Sequence, residues 1–483
     1  MATGSMKRIA IIGGGISGLS AAFALEEQRR AGVAVDYVLF ESSPRLGGVL
    51  VSERVDRCLV EAGPDSFLTE KPWAADLCRK VGLGDQLIGS NDAQRKTYIL
   101  VHGRLTVMPD GLMFMVPTKI LPTVFSPLFS LGTKLRMAGE WFHPPHQADG
   151  DETVADLVTR HYGPEMVDRL ADPLLSGVYG GEACGLSVRA VLPRFAEMEA
   201  QHGSLGRAML LARRKMAPAG GAPPRPLFTS LKDGMQQLVD ALLARLATAS
   251  LRPDTPVESV QIQSGGWLIS AGDGTDHFDG VIVATPASAA AALLDIASPD
   301  LAAGLRGVGY TSSVTLTLGY DRNVRAALPP GFGFLVPRSE GRRMLAATFV
   351  HNKFPHRAPQ DRALIRCFLG GARDEAILLL SDQEIVATAR RELRDILGLA
   401  AEPQFARVYR WKGAMAQYGV GHLERLERIE TRRRQVPGLA LAGNGYRGIG
   451  VPDCVRSGAD AAADLLARLG LGSALSAQVQ QRA

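Results

Sequence analysis

A glycine-rich turn between a predicted strand and a predicted helix constrains this chain more than any other feature of its sequence. Residues 7–12 form a short apolar run after a basic start, as in a buried strand. Gly13, Gly15 and Gly18 follow at once in G-x-G-x-x-G spacing, and residues 19–25 are rich in the helix formers Ala and Leu. The pattern predicts a strand, a tight turn and a helix in succession.

These glycines and the next strand together predict a dinucleotide-binding unit. Gly13 permits the tight turn, Gly15 lets the backbone approach a pyrophosphate, and Gly18 lets the helix pack close to the sheet. The helix N-terminus offers free N–H groups and partial positive charge to the phosphates. Residues 35–40 predict a second strand, and Glu41 at its end can accept both hydrogen bonds of a ribose diol. A glycine turn in some other α/β unit is the alternative, which this setting disfavours.

Composition limits the classes of function. The length of 483 residues predicts two to four domains, and the apolar fraction of 46% is enough for large cores. A net charge of +5 fits an anionic membrane surface or an anionic substrate, but it does not indicate nucleic-acid binding. The five cysteines show no C-x-x-C spacing and the nine histidines no H-x-x-x-H pair. We therefore expect no metal site and no disulfide framework, and a reducing compartment fits best.

Residues 112–131 form an apolar stretch as long as a membrane span. Pro117, Pro122, Pro127 and Lys119 interrupt it, and proline costs about 3 kcal/mol inside a helix. A single spanning helix is therefore not expected. Short apolar segments lying on a membrane and the lining of a large apolar pocket are both compatible with the stretch.

Later segments provide further candidate cofactor contacts. Gly48 again permits close backbone approach, and Arg45 can neutralise phosphate. Residues 60–67 predict a strand end and a turn, which either places backbone amides near a cofactor ring or is an ordinary Pro-Asp turn. Residues 448–453 predict a glycine turn that opens a final helix, whose N-terminus can stabilise negative charge on a reduced cofactor.

Seven segments spread along the chain carry a resemblance to one family. They are GGGISGLSAAFAL, ESSPRLGG, EAGPDSFL, PLLSGVYGG, GFGFLVP, RWKGAMAQYGVGHLER and GNGYRGIGVPDC. With them, nearly the whole chain resembles the protoporphyrinogen oxidases of the bacterial HemY type, within the superfamily of flavin-containing amine oxidases. The same family includes the coproporphyrinogen III oxidases.

The resemblance implies an α/β fold with α+β insertions. It combines a Rossmann-like FAD-binding domain, a mixed-sheet substrate domain and a mainly helical membrane-binding insert. In this numbering the FAD-binding domain comprises 1–90, 211–290 and 406–470, the insert 91–210, the substrate domain 291–405 and a tail 471–483.

The resemblance also implies FAD, rather than a nicotinamide, as the cofactor. The R-x-G-G sequence after Glu41 belongs to this pattern. For Trp411 a core aromatic is the alternative role. The positions that match the family's cofactor contacts are Gly13, Gly14, Gly15, Ile16, Ser17, Gly18, Glu41, Ser42, Arg45, Gly48, Val49, Gly63, Pro64, Asp65, Ser66, Val257, Trp411, Gly448, Ile449 and Gly450.

For the substrate, the resemblance implies a macrocycle held between apolar side chains over the flavin. A basic residue that many protoporphyrinogen oxidases use against a propionate falls at Thr97, and Arg95 or Lys96 can take its place. Plain core packing is the alternative for each apolar position. The matching positions are Leu335, Thr348 and Phe368, with the Gly177 carbonyl facing the ring nitrogens.

The implied reaction is the six-electron oxidation of protoporphyrinogen IX to protoporphyrin IX in haem biosynthesis, with hydride transfer to flavin N5 and oxygen as acceptor. No side chain is assigned as catalytic, because the cofactor carries the redox chemistry. Three alternatives stay open: coproporphyrinogen III as substrate, a generic flavin amine oxidase and a non-catalytic FAD-binding scaffold. We expect a cytoplasmic protein attached peripherally to the inner face of the cell membrane, and a homodimer.

Overall fold

The computed structural model describes residues 6–113, 115–146, 150–215, 225–272 and 274–471. Apart from Leu471, the predicted tail at 471–483 lies outside the described residues.

A parallel sheet of five strands lies behind the glycine turn. The predicted strands at 7–12 and 35–40 are confirmed, and the first of them lies at the centre of the sheet, fully buried at Ile9 and Ile11. Such burial is expected where helices cover both faces of a parallel sheet. The Rossmann-like arrangement is thus confirmed, with strands drawn from three distant parts of the chain. In spatial order they are Leu251–Arg252, Val35–Phe40, Lys7–Ile12, Gly280–Val283 and Leu439–Leu441.

The first and last long helices close this domain. Ile16–Arg30 packs against Val451–Arg468, with Ala and Leu side chains of both in one apolar core. Gly458 permits the close approach, because a Cβ there would overlap the backbone oxygen of Ser17. The C-terminal helix therefore returns to the first turn of the first helix.

The second sheet has seven strands and is mixed, as predicted. Every neighbouring pair is antiparallel except Gly333–Leu335 with Thr97–Val101. The sheet extends beyond the predicted 291–405 segment at both ends of that segment. Its strands, in spatial order, are Phe405–Gln417, Gly309–Asp321, Arg362–Gly370, Met344–Phe349, Gly333–Leu335, Thr97–Val101 and Arg104–Val107.

The segment after the hairpin at 97–107 is mainly helical, as predicted. The apolar stretch at 112–131 contains only short elements, in keeping with its prolines. Within the part of the chain that the structure describes, no helix has the length and apolar character needed to cross a membrane. The elements of this insert are strands Leu112–Met113 and Val116–Pro117, and helices Ile120–Phe125, Leu131–Glu140, Val154–Tyr162, Pro164–Met166, Val167–Ala171 (a π-helical turn), Asp172–Tyr179, Val188–Val191, Pro193–His202 and Leu205–Lys215.

The remaining elements cover and connect the two large sheets. A three-stranded antiparallel sheet consists of Val257–Gln263, Gly266–Ala271 and Gly274–Phe278. Short strands are Ser52–Val55, Cys58–Glu61, Phe67–Leu68, Leu87–Gly89 and Phe228–Leu231. Helices are Trp73–Lys80, Gln236–Leu243, Ala287–Leu294, Pro299–Arg306, Arg322–Ala327, Val350–Lys353, Asp382–Leu397 and His422–Gln435.

A buried histidine ties three helices of the insert together. His161 Nδ1 lies 3.1 Å from Glu140 Oε1 and its Nε2 lies 2.9 Å from Glu199 Oε1, with the imidazole fully buried. Glu140 also accepts a 2.5 Å hydrogen bond from the Leu205 amide at the start of the next helix. Burial alone would lower the pKa of His161, but hydrogen bonds and charge from both glutamates raise it above its usual value.

We expect His161→Gln to destabilise the protein by about 3 kcal/mol, because it removes the cation that lies between the buried carboxylates of Glu140 and Glu199 and leaves only Glu199 with a second basic partner, Arg160. Since the folded-state pKa of His161 is raised, its contribution is complete below the usual histidine pKa and declines as pH rises through the folded value. Thermal unfolding at about pH 6 and about pH 9 measures this difference. His146→Gln, at an exposed position of the same insert, is the control. An equal deficit of His161→Gln at both pH values would contradict the account.

Candidate functional site

The glycine turn has the shape that a pyrophosphate needs. Gly13 has φ +108, and a Cβ on Gly18 would overlap the Gly13 carbonyl oxygen. A Cβ on Gly15, by contrast, would meet no atom within 4 Å. Ile16 and Ser17 begin the helix directly behind this open space, where the first N–H groups of a helix lack intrahelical partners. The predicted phosphate site is therefore sterically open, and the residues fit the group.

Glu41 lies at the carboxyl end of its strand, beside the glycine turn. Its Oε2 accepts a 2.7 Å hydrogen bond from the Gly14 amide, and its Oε1 accepts two of 2.8 Å from the Ser43 amide and hydroxyl. The Ser42 side chain is exposed. Each carboxylate oxygen has two lone pairs, so the two bonds from Ser43 fill Oε1, and Oε2 keeps one lone pair for a ribose hydroxyl. Val257 lies nearby, because the Thr255 amide donates 2.8 Å to the Glu41 carbonyl.

Arg45 organises the turn that follows Glu41. Its guanidinium donates to the carbonyls of Leu46 at 2.9 Å, Leu50 at 3.2 Å and Gly48. Burial lowers the pKa of the Arg45 guanidinium. The Arg45 guanidinium is thus held by backbone carbonyls, and its predicted contact with phosphate stays a prediction.

The turn stabilised by Arg45 continues the open path away from the phosphate site. Gly48 has φ +57, and a Cβ there would lie 3.1 Å from the Gly15 Cα. A Cβ on Gly63 would overlap the Val49 carbonyl oxygen. Four predicted cofactor contacts, Gly15, Gly48, Val49 and Gly63, therefore come from three segments of the chain whose backbones lie side by side.

The segment at 62–66 connects this group of backbone segments to the seven-stranded sheet. The Ala62 carbonyl accepts from Thr315 Oγ1 at 2.6 Å and from Trp411 Nε1 at 3.2 Å. Trp411 is only partly buried, so it lies at the edge of the site and not in the core. Pro64 is also partly buried, and Asp65 pairs with Lys353 through two contacts of 3.0 Å.

A second glycine turn lies at the N-terminus of the last helix. Gly448 has φ +99, and its amide donates 2.9 Å to the hydroxyl of Tyr418, which itself donates 2.6 Å to the Asn444 carbonyl. Ile449 and Gly450 complete the turn before the helix begins. The strand Leu439–Leu441 leads into the turn, and its carboxyl end shares an edge with that of Lys7–Ile12. The two glycine turns therefore lie on the same edge of the parallel sheet.

The predicted substrate residues share one face of the mixed sheet. Thr97 pairs with Gly333, Gly333 with Thr348, and Thr348 with Arg366, in one row across four strands. In the next row Leu335 pairs with Ala346, and Ala346 with Phe368. Directly paired residues point to the same side of a sheet. The structure thus brings together Thr97, Leu335, Thr348 and Phe368.

This face is partly exposed at the predicted positions, although Ala346 and Arg366 on it are buried, whereas the opposite face is core. Leu335, Thr348 and Phe368 are partly exposed, while their neighbours Phe334 and Cys367 are buried on the other side. Leu335 packs against the apolar core of the insert, so the substrate role of these positions stays a prediction.

Gly177 lies opposite this face. It belongs to the last turn of Asp172–Tyr179, where helix carbonyls lack intrahelical donors. A Cβ there would meet only Leu335 Cδ2, at 3.9 Å. Arg95 and Lys96 have exposed side chains beside Thr97 at the start of its strand. The basic residues are thus available at one end of this face.

Three buried basic residues of this site were not predicted from the sequence. Arg366 donates 3.2 Å to the Ala62 carbonyl, and Arg357 donates 2.7 Å to Ser230 Oγ. Lys353 is the third, paired with Asp65. The one available signal was an arginine between apolar residues of a predicted strand, in LIRCFLG, because an arginine in a buried strand needs partners.

Comparisons with known proteins agree on the kind of protein. Residues 16–466 match the family described as flavin containing amine oxidoreductase. The chain is 33% identical to the coproporphyrinogen III oxidase of Bacillus subtilis (strain 168), covering 96% of this chain and 98% of that protein. It is 30% identical to the coproporphyrinogen III oxidase of Staphylococcus aureus (strain NCTC 8325 / PS 47), covering 96% and 100%. A crystal structure from Exiguobacterium sp. 255-15, described as a candidate protoporphyrinogen oxidase, is 30% identical with TM-score 0.85 and coverage of 96% and 99%.

We expect Gly15→Val to abolish flavin retention while the protein still folds. A larger side chain would meet no protein atom nearby, and φ −69 suits any residue, so only a bound dinucleotide would clash with it. Flavin absorbance per protein and thermal unfolding of the apoprotein measure the two effects. Gly139→Val, at a second glycine with open surroundings, is the control and should retain flavin. Full flavin content in Gly15→Val would contradict this placement of the cofactor.

Proposed function

The chain belongs to the flavin containing amine oxidoreductase family, and on that premise we propose that it is an FAD-dependent porphyrinogen oxidase of haem biosynthesis. It is an oxidoreductase and its cofactor is FAD, as predicted. The observation that carries the proposal is the face of the mixed sheet that is partly exposed at Leu335, Thr348 and Phe368 and that Gly177 faces across the Leu335 side chain. A flat macrocycle fits such a slot, since apolar contact over its area drives binding.

The residues of the slot position the substrate and exclude water. Phe368 and Leu335 offer apolar surface from below, and Gly177 leaves room above for a ring system. The carbonyl of Gly177 accepts from pyrrole N–H groups in this proposal, which fixes the macrocycle's orientation. When bound, FAD accepts hydride equivalents from the substrate and passes the electrons to an acceptor, which we propose to be molecular oxygen.

A generic flavin amine oxidase is the alternative function, and the hydrogen bonds of the buried lysine Lys353 disfavour it. Members of that class usually carry a lysine near the flavin that is free to act there. The buried Lys353 instead donates to Asp65 and, at 3.1 Å, to Ser66 Oγ. Its ammonium group is thus committed to an ion pair.

Two porphyrinogens compete as the substrate. Family resemblance favours protoporphyrinogen IX first and coproporphyrinogen III second. The names of the Bacillus and Staphylococcus relatives favour coproporphyrinogen III for this chain. Its additional propionates suit the exposed Arg95 and Lys96 at one end of the slot, since arginine and lysine pair with carboxylates.

Anaerobic mixing of the flavin-loaded protein with each porphyrinogen tests the proposal. We expect flavin bleaching with both, faster with coproporphyrinogen III, and porphyrin fluorescence after air is admitted. A primary amine such as putrescine should cause no bleaching. The absence of bleaching with both porphyrinogens would refute the proposed function.

Gly177→Val should lower kcat/KM for porphyrinogen about a hundredfold, because its side chain enters the slot and displaces the macrocycle. Flavin content should stay at the wild-type level. Gly185→Val, on the surface after the same helix, is the matched control. Unchanged kcat/KM in Gly177→Val would place the substrate elsewhere.

The proposal includes peripheral attachment to an anionic membrane on the cytoplasmic side. The insert exposes large apolar side chains within 22 residues, Phe125 at 82% and Phe142 at 85% among them. Leu121 and Phe125 share one face of a short helix, and Lys134 lies nearby in sequence to meet anionic headgroups. These exposed side chains are here called the apolar patch, which comprises Leu121, Val124, Phe125, Leu131, Leu135 and Phe142.

We also propose that the protein forms a homodimer, and sedimentation measures its oligomeric state.

We expect the double variant Phe125→Glu, Phe142→Glu to lose binding to phosphatidylglycerol-containing vesicles in a flotation assay, because both changes place charge where apolar surface would insert. Leu379→Glu is the control, since Leu379 is 88% exposed outside the patch. Equal flotation of wild type and the double variant would contradict membrane contact through the patch.

A further inference from the structure

A largely buried cluster of charged side chains lies between the 61–65 segment and the mixed sheet. It comprises Glu61, Asp65, Lys353, Arg357 and Arg366. Arg357 pairs with Glu61, and Lys353 pairs with Asp65. Burial alone would raise the pKa of Asp65, but the charges of Lys353 and then Arg366 hold it well below its usual range. The cluster has three basic side chains and two acidic ones, so basic groups are in excess.

Arg366 is the member that connects the cofactor side to the substrate side. Its guanidinium donates to the carbonyls of Ala62 and Gly63. It also stacks over the ring of Phe368, with 4.9 Å between Cζ and the ring centroid. Gly63 is a predicted cofactor contact, and Phe368 a predicted substrate contact. One buried cation therefore supports a residue on each side of the proposed reaction centre.

A small cavity of about 10 Å³ adjoins Arg366, which is the room that one water molecule needs. Glu61, Asp65, Thr317 and Arg366 supply its polar lining. Arg366 Nε and Thr317 Oγ1 are buried, and neither has a hydrogen-bond partner among the described residues. An anion would meet two carboxylates here, whereas a water can accept from Arg366 and donate to a carboxylate.

We propose that Arg366 is a positioning residue for the flavin, which acts together with one water bound between its Nε and Thr317 Oγ1. Its Nη2 donates to the carbonyls of both Ala62 and Gly63 and so fixes them along the cofactor path. The cluster's excess of basic groups stabilises the negative charge that the ring system carries once reduced. This inference rests on FAD binding along Gly63 and does not depend on the identity of the substrate.

Two variants of Arg366 separate charge from geometry. Arg366→Lys keeps the charge but lacks the planar guanidinium that presents Nη2 to the carbonyls and Nε to the water. The midpoint potential of the bound flavin should therefore stay near the wild-type value while FAD affinity falls about tenfold. Arg366→Gln removes the charge as well, so FAD affinity should fall and the midpoint potential of the bound flavin should shift to a more negative value. Reductive titration of the holoenzyme measures the potential and needs no porphyrinogen, so a failed porphyrinogen assay leaves this test intact.

Arg433→Gln is the matched control, because Arg433 is also buried and paired with a carboxylate but lies in the helix His422–Gln435. It should leave the potential unchanged. A potential in Arg366→Gln equal to that of Arg433→Gln, or a shift in Arg366→Lys as large as in Arg366→Gln, would overturn the proposed role of charge.

The water has its own test. A high-resolution crystal structure of the holoenzyme should show one water within hydrogen-bond distance of Arg366 Nε and Thr317 Oγ1. Thr317→Val, which keeps the side-chain shape, should lose it. A dry cavity in the wild-type enzyme would overturn this part of the inference.

Discussion

The carbonyl of Ala62 accepts hydrogen bonds from three side chains of the mixed sheet, Thr315, Trp411 and Arg366. Through this one oxygen, the strand end that continues the cofactor path is held against the sheet that presents the substrate face. These hydrogen bonds therefore set the distance between the cofactor path and the substrate face of the proposed reaction centre. In the proposed reaction the flavin carries the redox chemistry, so the relative placement of cofactor and substrate is the protein's main contribution to catalysis.

The parallel sheet determines where the other cofactor contacts lie. Its strands come from the beginning, middle and end of the chain, yet the two glycine turns share one sheet edge. Gly458 allows the last helix to pack on the first, which brings the turn at 448–450 to that edge. The FAD domain is thus complete only when the C-terminal segment has docked.

The sequence predicted the local features of the site well and its distant contacts poorly. The strand, turn and helix around Gly13 follow from spacing and apolar pattern within a short stretch, and the structure confirms them. Leu335, Thr348 and Phe368 were placed only by family resemblance, because strand alternation does not tell which face is open. Lys353 with Asp65, and Arg366 with Ala62, join segments about 300 residues apart. No local pattern encodes such pairings, so the charged cluster was not predicted.

A crystal structure of the holoenzyme with a bound porphyrin product tests the central claim most directly. The account predicts a macrocycle lying in the slot between Gly177 and Phe368, with FAD running from the open space at Gly15 past Gly63. Its propionates should point toward Arg95 and Lys96. A porphyrin bound away from the face that carries Leu335, Thr348 and Phe368 would contradict the account, even if the flavin occupied its predicted path.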